Sequence, residues 1–121
     1  MKELVSIAEK ISAVLTARKQ TIVVAESSTG GLISAALLAV PGASAYFLGG
    51  AVVYTRQSRR VLLDIPDAAL DGIRPSTEPY ALMMARTARE RFSSTSVNEV
   101  NYRQAALTGP ALECRPIRAC E

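Results

Sequence analysis

Apolar residues at Leu4, Ile7, Ala8, Ile11, Val14 and Leu15 recur at helical spacing, with Lys2, Glu3, Glu9, Lys10 and Arg18 between them. The spacing predicts an amphipathic first helix of about four turns, docked by one face on a sheet. After Lys19-Gln20 the period changes. Thr21-Ile22-Val23-Val24-Ala25 is β-branched and continuous rather than alternating, which predicts a strand buried on both faces. Leu32 to Val40 is small and apolar, predicting a buried helix that stops at the breaker pair Pro41-Gly42. Leu48-Gly49-Gly50-Ala51-Val52-Val53-Tyr54 predicts a second strand. Glycines inside it imply close approach of another backbone or of a ligand.

Thr55 to Leu63 predicts a short helix carrying Arg56, Arg59 and Arg60, ended by Asp64-Ile65-Pro66, with a further helical turn from Pro66-Asp67 to Leu70. A longer helix follows, with Ser76 expected as its N-cap and Glu78 in its first turn. Ala81, Leu82, Ala85, Ala88 and Phe92 form its apolar face, and Arg86, Arg89 and Arg91 point outward. Beyond Ser93 the pattern weakens. Only Ala105-Ala106-Leu107-Thr108 reads as a strand, and the last eleven residues show no period. The reading divides the chain into an α/β domain over 1–92 and an atypical tail over 93–121.

Between the first strand and the second helix lies Glu26-Ser27-Ser28-Thr29-Gly30-Gly31. Small polar residues and two glycines where a strand meets a helix are where open α/β folds place ligands, because the helix N-terminus offers N–H groups and partial positive charge to an anion. Serine and threonine are also ordinary helix caps. This loop holds more side-chain oxygens than a cap requires, so Glu26, Ser27, Thr29, Gly30 and Gly31 are the candidate substrate-binding residues.

Composition narrows the chemistry. The 121 residues contain no histidine and two cysteines, Cys114 and Cys120, so this chain alone assembles neither a Ser–His–Asp triad, nor a Cys–His pair, nor a zinc site. We expect no metal and no cofactor. A net charge of +3 favours anionic partners weakly, and 5% aromatic residues give little support for nucleic-acid binding. No apolar run reaches membrane-spanning length. Met1-Lys2-Glu3 opens directly into the amphipathic pattern rather than a secretory signal, so we expect a cytoplasmic protein.

Three segments together resemble the C-terminal domain of the CinA family of competence- and damage-inducible proteins. They are Ala25-Glu26-Ser27-Ser28-Thr29-Gly30-Gly31-Leu32, Pro41-Gly42-Ala43-Ser44-Ala45-Tyr46-Phe47 and Gly50-Ala51-Val52-Val53-Tyr54, in family order and spacing. The resemblance implies a three-layer α/β/α sandwich that forms homo-oligomers. It also implies a nicotinamide-nucleotide amidohydrolase, which converts nicotinamide mononucleotide to nicotinic acid mononucleotide and ammonia by a serine activated by lysine, with a tyrosine nearby. Carried over by motif, the serine of Pro-Gly-x-Ser-Ala is Ser44, the tyrosine is Tyr54 and the lysine position is Arg59.

Three departures accompany the resemblance. Arg59 keeps its proton at working pH and cannot serve as the base a lysine would. Ser28 stands where a cysteine is usual. The family continues through further strands, whereas only Thr108-Gly109-Pro110 echoes that part, so the sandwich is expected to be incomplete at its C-terminus. The expectation is therefore an amidohydrolase-like protein of impaired activity, with a pocket between residues 26–31 and Ser44. The alternative is a non-catalytic binding or assembly module linked to competence or DNA damage.

Overall fold

A computed structural model describes residues 1–92 throughout and, beyond them, the backbones of the strands within 96–101, 104–109 and 112–118. The elements run α1 (Lys2–Ala17), β1 (Ile22–Glu26), α2 (Leu32–Ala39), a 3-10 turn (Ala43–Ala45), β2 (Phe47–Val52), α3 (Arg56–Leu63), a second 3-10 turn (Asp67–Leu70), α4 (Glu78–Phe92), β3 (Ser96–Asn101), β4 (Gln104–Gly109) and β5 (Leu112–Arg118). The strands form one sheet in the order β2-β1-β3-β4-β5. β1 pairs in parallel with both β2 and β3, while β3–β4 and β4–β5 are antiparallel.

Continuous burial of β1 follows from its place between two strands and two helical layers. Val23 and Ala25 pack with Val53, Leu63, Ile65, Tyr80, Met84, Ala85 and Ala88 on the side of α3 and α4. Ile22 and Val24 pack with Ala8, Leu15, Ala36, Leu37 and Tyr46 on the side of α1 and α2. The predicted α/β/α sandwich is the observed one. Tyr46 is fully buried and donates its hydroxyl hydrogen to the Leu37 carbonyl, so the ring adds apolar area without leaving a polar atom orphaned.

Local chemistry sets the element boundaries. Thr55 and Ser58 form a reciprocal capping box at the start of α3, and Asp64 ends that helix in the left-handed conformation, which aspartate tolerates. The cap of α4 differs from the expectation. Thr77 rather than Ser76 precedes the helix, and its hydroxyl oxygen accepts from the Tyr80 N–H at 3.5 Å. Ser76 instead adopts a positive φ of 62°. On α1, Ile7 and Val14 were expected on the docked face but are exposed, while Ser12 is buried there. The buried stripe of that helix is narrower than its apolar spacing implied.

The β2 glycines admit helices rather than a ligand. A Cβ on Gly50 would lie 2.6 Å from the Ser34 hydroxyl oxygen, and one on Gly49 would lie 3.0 Å from the Phe92 ring. Adjacent positions on the strand thus receive α2 on one face and α4 on the other. Three strands occupy the region that the sequence pattern left almost featureless, where one was expected. Cys120 and Pro110 lie outside the described residues.

Candidate active-site cleft

The loop after β1 is built around a buried carboxylate. Glu26 is 1% exposed. Its Oε2 accepts from the Thr29 hydroxyl at 2.8 Å, the Gly31 N–H at 3.1 Å and the Ile33 N–H at 3.1 Å. Its Oε1 accepts from the Ser34 N–H at 2.7 Å and the Ser34 hydroxyl at 2.6 Å. Burial raises the proton affinity of this carboxyl, but the hydrogen bonds from Ser34, Thr29 and Ile33 outweigh it and hold the pKa below the usual carboxylate value.

This arrangement changes how the loop can meet a ligand. The sequence suggested a helix N-terminus open to an external anion, yet the first free N–H groups of α2 are taken by Glu26. The chain supplies its own anion. Gly30 and Gly31 make the return possible, since both have positive φ, at 62° and 96°. Glu26 and Thr29 thereby hold the loop, and Ser27 is left at its outer side.

Beside that loop is a cleft of about 660 Å³, whose lining includes Ser27, Tyr54, Arg56, Arg59, Asp67 and Tyr80 together with Asp71, Ile73 and Ser76 from the segment between the second 3-10 turn and α4. Ser27 follows β1 and Tyr54 follows β2. In a parallel pair these C-terminal ends share one edge of the sheet, where α/β folds bind ligands. Tyr54 is 76% exposed, and Arg56 is exposed at the start of α3. Arg59, one turn further along α3, is buried. Its Nη1 donates to the Tyr80 hydroxyl at 3.4 Å, and its Nη2 lies 3.8 Å from Asp67 Oδ1. The guanidinium carbon sits 5.8 Å from the centre of the Tyr80 ring.

Ser44 is not among the residues that line this cleft. The shared pocket expected from sequence is therefore corrected, and the cause is the strand register. Ser44 precedes β2, where Phe47 pairs with Ile22, whereas Ser27 follows Glu26, which pairs with Val52. At roughly 3.3 Å per residue, the length of β1 alone separates the two serines by about 15 Å. They stand at opposite ends of the sheet. Ser44 is an exposed residue of the 3-10 turn, in the setting of an ordinary turn serine.

The serine that joins Tyr54 and Arg59 is Ser27. Sequence reasoning placed it in the binding loop, as a substrate-binding residue. Tyr80, Asp67 and Ser76 were missed as cleft residues. Tyr80 carried a usable signal, as a tyrosine among small apolar residues on the inner face of α4.

The model of the CinA C-terminal domain matches residues 4–97. The chain belongs to the CinA family. A CinA-like protein of Parasynechococcus marenigrum is 42% identical over 89 residues, covering 74% of the chain and 21% of that relative. One from Chlorobaculum tepidum is 36% identical over 106 residues, covering 88% and 24%. The chain thus spans about a fifth to a quarter of the length of these relatives. Among solved structures, the competence/damage inducible protein CihA of Agrobacterium tumefaciens superposes with a TM-score of 0.82 at 24% identity, covering 95% of the chain and 79% of that structure. A CinA superfamily protein of Escherichia coli gives 0.82 at 19% identity, covering 98% and 78%. Both confirm the CinA fold. No helix among the described residues is long and apolar enough to cross a membrane.

Proposed function

We propose that the cleft binds a pyridine mononucleotide and that this domain is a nicotinamide-nucleotide amidohydrolase of strongly reduced activity. The observation that carries the reading is the convergence of Ser27, Tyr54 and Arg59 on one cleft at the C-terminal edge of the parallel strands. Its volume suits a ligand of nucleotide size. In the reaction, the Ser27 hydroxyl would add to the carboxamide carbon, expel ammonia and leave an acyl-enzyme that water hydrolyses to the acid. That addition requires a base to accept the hydroxyl proton. Arg59 is a permanent cation and donates only. The other cleft groups able to accept a proton are Tyr54, Tyr80, Asp67 and Asp71, and none of them stands at the lysine position of α3, so slow turnover is the expected outcome. Titration calorimetry with nicotinamide mononucleotide tests the site. Binding should be lost in Ser27→Trp and retained in Ser44→Trp, and the reverse pattern would move the site to the other end of the sheet.

A second reading has its own observation. β2 is an edge strand, and Leu48, Val52 and the neighbouring Leu32 are each close to half exposed. An open edge with an apolar flank favours association with a second copy. Light scattering after size exclusion tests this assembly role. A monomer at all accessible concentrations would exclude it.

A further inference from the structure

We propose that the Arg59 end of the cleft selects a carboxylate, so that the domain retains the acid form of a pyridine mononucleotide in preference to the amide. This rests on the mononucleotide reading above and assigns the ligand form that the site holds.

The argument begins with an undercompensated charge. The Arg59 side chain is 7% exposed, so its charge has been taken out of water. A guanidinium carries five N–H donors and needs partners for them when buried. Its contacts among the described residues are few and long. The Tyr80 hydroxyl lies 3.4 Å away and offers no negative charge. Asp67 lies at 3.8 Å, beyond hydrogen-bonding distance, is itself 51% exposed and is shared with Arg60 at 3.7 Å. The buried Nε has no hydrogen-bond partner. A charge in this condition is completed by an anion entering the cleft that Arg59 lines.

The kind of anion follows from geometry and charge. A guanidinium is a planar fork that matches a carboxylate in shape and in unit charge. A phosphate dianion held by this one buried cation would remain undercompensated, and it is better matched to the exposed end of the cleft, where Arg56 lies in water. The helix N-terminus cannot serve instead, because Glu26 occupies its N–H groups. An amide presents a neutral oxygen and an NH₂ whose hydrogens oppose those of Arg59. The acid form replaces that opposition with charge-assisted hydrogen bonds. In a site built this way, hydrolysis would end in a tightly held product.

The test is titration calorimetry of the full chain with nicotinic acid mononucleotide, nicotinamide mononucleotide and ribose 5-phosphate. It is repeated on Arg59→Gln and on Arg59→Lys, each checked by thermal melting. The acid form should bind the unmodified chain about tenfold or more tightly than the amide, a factor that corresponds to about 1.4 kcal/mol. Arg59→Gln should remove that advantage. Arg59→Lys, which keeps the charge without the fork, should narrow it and provides the readout if the glutamine variant does not fold. Equal binding of acid and amide overturns the carboxylate assignment and leaves the mononucleotide reading standing. If ribose 5-phosphate loses as much affinity as the acid on Arg59→Gln, Arg59 holds phosphate and the assignment is overturned. Binding of neither mononucleotide overturns both readings.

Discussion

Glu26 ends a strand and Ser34 lies in the helix that follows, and the Glu26 carboxylate takes both the N–H and the hydroxyl of Ser34, at 2.7 and 2.6 Å. Together with the bonds from Thr29, Gly31 and Ile33, this joins β1 to α2 and fixes the loop from which Ser27 faces the cleft. Glu26→Gln tests that joint. Glutamine has one acceptor oxygen, so its NH₂ must meet hydrogen-bond donors, and a loss of about 1–3 kcal/mol is expected in denaturant unfolding.

The same carboxylate gives a pH dependence of stability. Its folded pKa lies below the ordinary value, so the unfolded chain takes up the proton first as pH falls. The stabilisation is fully present above the ordinary carboxylate pKa of about 4.3, and is lost as pH falls from there through the folded value. Urea midpoints measured from pH 7 to pH 3 should fall more steeply for the unmodified chain than for Glu26→Gln. Parallel curves would remove Glu26 as the titrating group.

Gly50 provides a separate handle on the joint. A methyl group there meets the Ser34 hydroxyl at 2.6 Å, pushing away the residue that holds Glu26. Gly50→Ala should cost about 1–3 kcal/mol and should weaken mononucleotide binding, although Gly50 does not line the cleft. Stability and binding that both match the unmodified chain would show that α2 yields without consequence.

Asp67 competes with any anion that Arg59 receives. The pair is long and half exposed, so Asp67→Asn should change stability by less than about 1 kcal/mol. Removing that carboxylate should tighten binding of nicotinic acid mononucleotide several-fold, measured by calorimetry. Weaker binding would mean that Asp67 orients Arg59 rather than competing for it.

Much of this was legible from the sequence because local pattern decides it. The continuous run Ile22-Val23-Val24-Ala25 names a strand covered on both faces, and Thr55 to Leu63 reads as a short helix stopped by Asp64-Ile65-Pro66. The family motifs found the loop, Tyr54 and Arg59. The Glu26 cap was hidden because its key partner lies eight residues away, across a turn made by two positive-φ glycines. The separation of Ser44 from the loop was hidden for a different reason. Both serines sit in motifs, and only the parallel pairing of β1 with β2 reveals that residues after the strands share an edge while a residue before β2 does not. β4 was legible in Ala105-Ala106-Leu107-Thr108, whereas β3 and β5 lacked a signal because Asn98, Glu99, Arg115 and Pro116 interrupt their apolar alternation, so pairing partners rather than local propensity define those two.

The most direct test of the account is ammonia release from nicotinamide mononucleotide by the unmodified chain, by Arg59→Lys, and by each of these carrying Ser27→Ala or Ser44→Ala. A missing general base costs about 10²–10⁴-fold in rate. The unmodified chain should therefore be very slow, and Arg59→Lys should recover part of that factor. Ser27→Ala should abolish the recovered activity, and Ser44→Ala should leave it. Robust turnover by the unmodified chain that survives Ser27→Ala and is lost on Ser44→Ala would contradict the assignment of both the cleft and its serine.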